Sequence, residues 1–327
     1  MKQLSAICLS VALGFGIHTA AHAQGSGDPG LSSVGALRSA AGLAFDEENY
    51  ENDRTHLGFA HTFAKGERDV VINIPQVELR VNLHENGYLD AKLPYYASRG
   101  ELAKISGIGD LTVAYTHFLP YYDGFTWQFT GGLEIGLSNS NLTDGKGRAL
   151  PMVYQPSQGT TDLVLGASGM YKQYVSFALG YQQPIIRYNE NDYNRSTPLN
   201  ELNYTSVDYP LSRKLYRHGD LMVRLEGHLT GTRAGISGGP LLFYHLREDL
   251  YVDAANKYRE ANGSEGYTLN LAGSAFIRMG RYGQWKLDVN GAVPVVERNA
   301  YPDGSKRQWM LMPRLTYFFG QQDLLFD

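Results

Sequence analysis

RQWMLMPRLTYFF, residues Arg307 to Phe319, is the stretch on which the fold turns. Trp309, Leu311, Leu315, Tyr317 and Phe319 fall on one parity, and Gln308, Arg314 and Thr316 on the other. That period of two belongs to a β-strand, whose successive side chains point to opposite faces. One face is apolar and ends in aromatics; the other is polar and charged. Such a strand suits a barrel wall with lipid outside and water inside, and it suits equally the last strand of a soluble sandwich. The rest of the chain has to separate the two.

Upstream, alternating segments recur from Thr55 onward. The candidates are Thr55–Phe63, Val70–Leu83, Tyr88–Tyr96, Gly109–Leu119, Phe125–Leu137, Thr160–Tyr171, Tyr174–Gln182, Gly219–Leu229, Ile236–Leu246, Tyr267–Arg278, Trp285–Val293 and Gln308–Phe319, twelve in all. In the fifth, Phe125, Trp127, Phe129, Leu133, Ile135 and Leu137 oppose Thr126, Gln128, Thr130 and Glu134. One irregularity is Pro75, around which Ile72 and Ile74 fall on the opposite parity to Val77, Leu79 and Val81. A bulge at Pro75 would restore both faces.

The connections decide between the two architectures. Short turns follow the even-numbered segments: Glu85–Gly87, Pro120–Gly124, Lys172–Gln173, Thr230–Gly235 and Met279–Gln284. Long polar loops follow the odd ones after the first: Ala97–Ile108, Ser138–Gly159, Gln183–His218, Arg247–Gly266 and Pro294–Arg307. A membrane barrel sorts its connections this way, with turns at one rim and loops at the other, whereas a Greek-key sandwich does not. The expected fold is therefore all-β, an antiparallel up-and-down transmembrane β-barrel of about 12 strands and outer-membrane type.

The N-terminus and the composition agree. Lys2, the apolar run Leu4–Ile17 and Ala21-His22-Ala23 have the three parts of a secretory signal peptide cleaved before Gln24. The single cysteine, Cys8, lies inside that leader, so the mature chain offers no disulfide, Cys-bound metal or Cys nucleophile. No later run is long and apolar enough for a transmembrane helix. A formal charge of −4 over 327 residues argues against nucleic acid as a partner. Glycine (37) and tyrosine (23) are abundant, as turns and aromatic girdles require. Four segments follow: 1–23 signal peptide, 24–53 a flexible or capping stretch, 54–319 the barrel and 320–327 a tail. The expected location is the outer membrane of a Gram-negative bacterium.

With the apolar parity turned to lipid, the lumen receives Glu78, Arg80, Glu134, Arg224, Glu226, His228, Arg278, Lys286, Asp288 and Arg314. Mixed charges can brace a narrow barrel or select a solute, and the sequence leaves both open. Twelve strands imply a lumen between that of filled eight-stranded barrels and that of open porins. No HExxH, G-x-S-x-G or P-loop is present, and no cofactor or metal site is expected. His228 with Glu226 on one parity is the pair that a barrel hydrolase would use.

Val77–Leu83 (VELRVNL), Leu89–Tyr95 (LDAKLPY), Gly107–Leu111 (GIGDL), Gly219–Leu221 and the ending Arg314–Phe319 together resemble the outer-membrane β-barrel family of meta-pathway phenol degradation. The resemblance spans about Val70 to Phe319 and implies a transporter-like barrel for aromatic or other small apolar compounds, with no catalytic residues. The expected function is an outer-membrane channel for a small solute. The alternative is a sealed structural or adhesive barrel with partner-binding loops, and a barrel hydrolase ranks third. Partners expected are outer-membrane lipid, the small-molecule solute and the barrel assembly machinery, for which Leu315, Tyr317 and Phe319, spaced by two, resemble the terminal recognition signal. No oligomeric state follows from the pattern.

Overall fold

Twelve antiparallel strands close into a ring in the computed structural model, which describes residues 23–24, 37–38, 55–194, 209–281 and 283–319. They are β1 (His56–Gly66), β2 (Val71–His84), β3 (Gly87–Arg99), β4 (Leu111–Tyr122), β5 (Phe125–Ile135), β6 (Thr160–Tyr171), β7 (Val175–Arg187), β8 (Asp220–Thr230), β9 (Ala234–His245), β10 (Gly266–Met279), β11 (Trp285–Val296) and β12 (Lys306–Phe318). Each pairs with the next, and β12 returns to β1 through Arg314↔Ala60 to Phe318↔His56. Two short strands attach to the ring: Ala23–Gln24 beside β12, and Lys104–Ile108 beside the upper half of β3. The segment before Ala23, where the sequence leads one to expect a signal peptide, and the tail 320–327 lie outside the described residues, as does most of 24–53.

The burial pattern is inside out relative to a soluble protein. Leu225 is 48 % exposed and its neighbour Glu226 is 2 % exposed, and the same reversal runs round the ring. Phe59, Val77, Leu79, Leu93, Phe129, Leu165, Leu179, Val223, Ile236, Leu271, Ile277, Leu287 and Leu311 all face outward. In water so large an apolar face would drive aggregation; against hydrocarbon it is the stable arrangement. Closure satisfies the backbone groups that lipid cannot bond. Exposed aromatics gather near both rims, with Tyr122, Tyr171, Tyr174, Trp285 and Phe319 on the turn side and Tyr95, Tyr244, Tyr267 and Trp309 on the loop side.

Connections sort as the sequence implies. Tyr122 pairs with Phe125 across Asp123-Gly124, whose φ of 48° and 85° give a two-residue hairpin turn. At the other rim the loops carry structure. Ala97–Ile108 is less a loop than a hairpin, because β3 runs on to Arg99 and pairs with Lys104–Ile108. Leu250–Val252 and Tyr258–Glu260 form a second hairpin within Arg247–Gly266.

One sequence expectation is corrected. The β1–β2 ladder runs unbroken from His56↔Arg80 to Lys65↔Val71, so Pro75 introduces no bulge. Ile72 and Ile74 therefore point inward, both buried. They do so because the loops fold back over the mouth: Leu150, Val153 and Tyr154 of the fifth connection and Tyr209 of the seventh pack with them, Val70, Tyr96 and Met310. The upper lumen holds an apolar core of its own, and apolar residues on the inner parity are its share of the wall.

Candidate functional site

All ten lumen residues named from the sequence are buried inside the ring. Their charges are joined across strands. Arg314 on β12 meets Asp288 on β11 at 2.8 Å and Glu78 on β2 at 3.2 Å, so one guanidinium ties the closing seam to both of its flanks. Arg80 and Asp90 form a two-pronged pair at 2.8 and 3.0 Å, with the guanidinium 3.5 Å from the centre of the Tyr88 ring. Gln182 donates to Glu134 (3.0 Å) and Asp162 (2.7 Å), and Arg217 of the seventh loop reaches Asp162 at 3.2 Å. Arg278 bonds the Thr232 carbonyl at 2.7 Å, and Lys286 lies 5.1 Å from the Phe276 ring.

Two residues of the N-terminal stretch lie inside as well. Leu37 is fully buried among Val164, Ala178, Met222, Leu241 and Phe243, over Gly166, where a Cβ would come within 2.6 Å of it. Its carbonyl accepts from Arg224 (2.8 Å), and Arg38 pairs with Glu78 at 2.7 Å. The sequence around them has no alternation, so only a partner in space reveals their place.

The hydrolase pair does not assemble. His228 bonds Ser176 at 2.7 Å, from the neighbouring strand, but its Nδ1 is buried without a partner. A nucleophile's base needs a third group to hold its tautomer, and none bonds that nitrogen among the described residues.

Beneath the loop cap, Arg298 pairs with Asp303 at 2.9 Å, and Ser305 donates to the same carboxylate through its backbone N–H (3.2 Å) and its hydroxyl (2.9 Å). Burial would raise the Asp303 carboxyl, but Arg298 and Arg217 hold it well below the usual range. Glu67, in the turn Glu67–Asp69 between β1 and β2, has the opposite balance: burial pushes its carboxyl up to about 7 against the pull of Lys306. A cavity of about 40 Å³ remains under the cap, lined by Ile74, Pro94, Tyr96, Asp110, Glu134, Gln158, Arg217 and Arg307 among others. Its volume has room for about one or two waters and not for a larger solute.

The larger cavity lies on the outside of the wall. About 590 Å³ in volume, it is lined by Phe59, Ala60, His61, Pro75, Gln76, Val77, Leu93, Pro94, Tyr95, Ile108, Leu287, Pro313, Arg314 and Leu315. Register explains it. Trp309 pairs with Lys65 and Arg314 with Ala60, yet Met310–Pro313 make no pair with β1. The same register sets Pro313 opposite His61, and His61 pairs with Pro75. The β2–β3 ladder skips from Asn73↔Ala97 to Gln76↔Pro94, leaving Ile74, Pro75, Tyr95 and Tyr96 without partners in that ladder, although Tyr95 and Tyr96 pair with Ile108 and Gly107 on their other side. Proline has no N–H to give to a ladder, and three prolines fall together where the ring closes. The short, flat row Pro313, His61, Pro75 is a dent between the taller Phe59, Val77 and Leu315. Pro94 lines both the outer groove and the inner cavity.

Of the groove's residues only Pro75 stands out from parity; Pro94, Pro313 and His61 do not. Proline inside a strand pattern was the available signal, but only the register brings Pro75, Pro94 and Pro313 side by side. Leu315, Tyr317 and Phe319 lie along the outward face at the turn rim, with Tyr317 edge-on to Phe319 at 5.1 Å.

No family model matches the chain, and no curated protein sequence matches it. Among solved structures it is similar to an outer-membrane channel from Pseudomonas putida F1, described as a COG4313 channel, at a TM-score of 0.56 and 15 % identity over 81 % of this chain and 96 % of that one. The KdgM porin (TM-score 0.42, 10 % identity, 81 % and 99 % covered) and the CymD monoaromatic hydrocarbon channel (0.40, 10 %, 91 % and 98 %) are more distant. The first of these likenesses establishes the shared barrel fold.

Proposed function

We propose that this chain is an outer-membrane barrel that passes a small, largely apolar solute through its wall rather than down a wide aqueous lumen. The observation that carries this reading is the interrupted β12–β1 ladder beside an apolar groove that shares Pro94 with the cavity inside. Unpaired backbone facing lipid costs several kcal/mol per group, so a closed barrel has every reason to zip its seam. Pro313, the one of the three prolines on a seam strand, has no N–H to give there. The lumen, filled by ion pairs and by Leu37, is poorly suited to bulk diffusion. The resemblance to phenol-degradation barrels favours aromatic solutes for the same route.

A sealed structural barrel is the second reading, favoured by the cross-strand pairing of the lumen charges. Uptake separates them. Cells producing the protein, with a lipopolysaccharide outer leaflet that slows hydrocarbon entry, are expected to take up an aromatic hydrocarbon faster than cells without it, while the purified barrel conducts ions far less than an open porin. Conductance with no gain in hydrocarbon uptake contradicts lateral passage. Neither conductance nor uptake identifies the sealed barrel.

A further inference from the structure

We propose that the outward face of β1–β3, on the loop side of the wall groove, binds the phosphate-bearing head of a glycolipid of the outer leaflet, with Arg99 and Lys104 as its anion clamp. Arg99 on β3 lies directly opposite Lys104 on the short strand beside it. Both are exposed, and neither side chain makes a hydrogen bond or an ion pair among the described residues. Like charges set directly opposite each other on a sheet destabilise it. Glu101, at the tip of this hairpin, is exposed and pairs with neither cation. An anion held between the two relieves the repulsion.

The register extends this pair into a site of lipid size. Lys65 pairs with Val71, and Val71 with Arg99, so Lys65 stands in the same outward row, about 10 Å from Arg99. Asp69 meets the Lys65 ammonium at 2.9 Å, which leaves the net charge of the row with Arg99 and Lys104. Trp309, opposite Lys65, closes the row, and such rings sit at headgroup level. The loop rim of an outer-membrane barrel is its outer one, so the lipid is one of the outer leaflet. From there polarity falls in steps along the wall. The next outward row is Phe63, Asn73, Ala97 and Ser106, with the Tyr95 hydroxyl donating to Ser106 at 3.0 Å. The third row, His61, Pro75, Tyr95 and Ile108, lines the largely apolar groove. On all four strands the first and third rows are four residues apart, about 13 Å. Phosphate on the cations, sugar hydroxyls beside Asn73 and Ser106, and acyl chains along the groove follow that order. A free phosphate would use the first row alone.

Binding of bisphosphorylated lipid A to the folded barrel in a neutral detergent, read by native mass spectrometry and by the heat-unfolding midpoint, tests this independently of solute passage. Wild type is expected to bind the lipid and to unfold at a higher temperature with it. Arg99→Gln/Lys104→Gln is expected to bind about thirtyfold more weakly. Lys146→Gln/Lys257→Gln, which removes the same charge from exposed loop positions, is expected to bind as wild type does. Affinity unchanged in the first variant, or an equal loss in the second, overturns the proposal. Should Arg99→Gln/Lys104→Gln fail to fold, wild type decides with lipid A stripped of its phosphates: binding is expected to weaken to the same degree, and equal affinity overturns the proposal. Inorganic phosphate that binds as tightly as the lipid assigns the cations to a soluble anion and overturns it too.

Discussion

Arg314 shows how a side chain can be read correctly from parity and still have its main work hidden. Alternation puts it in the lumen; β11 sets Asp288 opposite it, and only the closed ring brings Glu78 from β2, one strand beyond β1. Removing one member of a buried pair strands the rest, so Arg314→Met is expected to cost about 3–5 kcal/mol in urea unfolding from lipid vesicles, well above a substitution on the outward face. A loss no greater than that of an outward-facing substitution would mean the pair is hydrated and weak. Glu67 gives a signed pH dependence. Its carboxyl ionises at about 7 when folded and at 4.5 when free, so folding keeps a proton that the unfolded chain releases. The stability that Glu67 contributes is therefore present below 4.5 and is lost as pH rises from 4.5 to about 7. Glu67→Gln is expected to flatten that decline in heat-unfolding midpoints taken across the window, and parallel curves would count against it. Ile72 and Ile74 mark what parity hides at this scale: they are apolar and inward because Leu150, Val153, Tyr154 and Tyr209 come down upon them from loops that have no periodicity to read.

At the scale of strands, all twelve were legible, because lipid on one side and side-chain charges on the other impose a strict period of two. The sorting of short turns and long loops was legible for the same physical reason, as the two rims face different compartments. What the loops do was not, since a loop buried over a barrel mouth is written in contacts rather than in a pattern. The wall groove was half legible: each proline breaks its own strand visibly, but their alignment depends on register across the closing seam. Pro313→Ala returns an N–H to β12 and is expected to let the seam pair further, slowing hydrocarbon uptake several-fold; unchanged uptake would take Pro313 out of the route. For the outward row Leu315, Tyr317 and Phe319, we propose the role of assembly signal. Phe319→Asp is expected to block insertion into the outer membrane, and deletion of residues 320–327 to leave it intact, judged by the shift in gel migration of folded against boiled protein. The reverse result would move the signal to Phe326.

As a whole molecule, the barrel has an apolar outside, a lumen crossed by ion pairs, a loop cap over one mouth and one weak line in its wall. The weak line lies where the first and last strands meet, the one junction of the ring whose two strands no turn or loop joins directly. Among the described residues the lumen is crossed by ion pairs, and the groove is lined mainly by apolar side chains of the outward face. The most direct test is to tie the seam shut. Thr62 and Met312 stand opposite each other in the register that continues across the unpaired stretch, and the only cysteine of the sequence is Cys8, far from them in the chain. In a Thr62→Cys/Met312→Cys double variant, lateral passage predicts that oxidation abolishes the added uptake of aromatic hydrocarbon by intact cells and that a reductant restores it. Uptake that is the same oxidised and reduced, with the cross-link verified, would contradict passage through the wall.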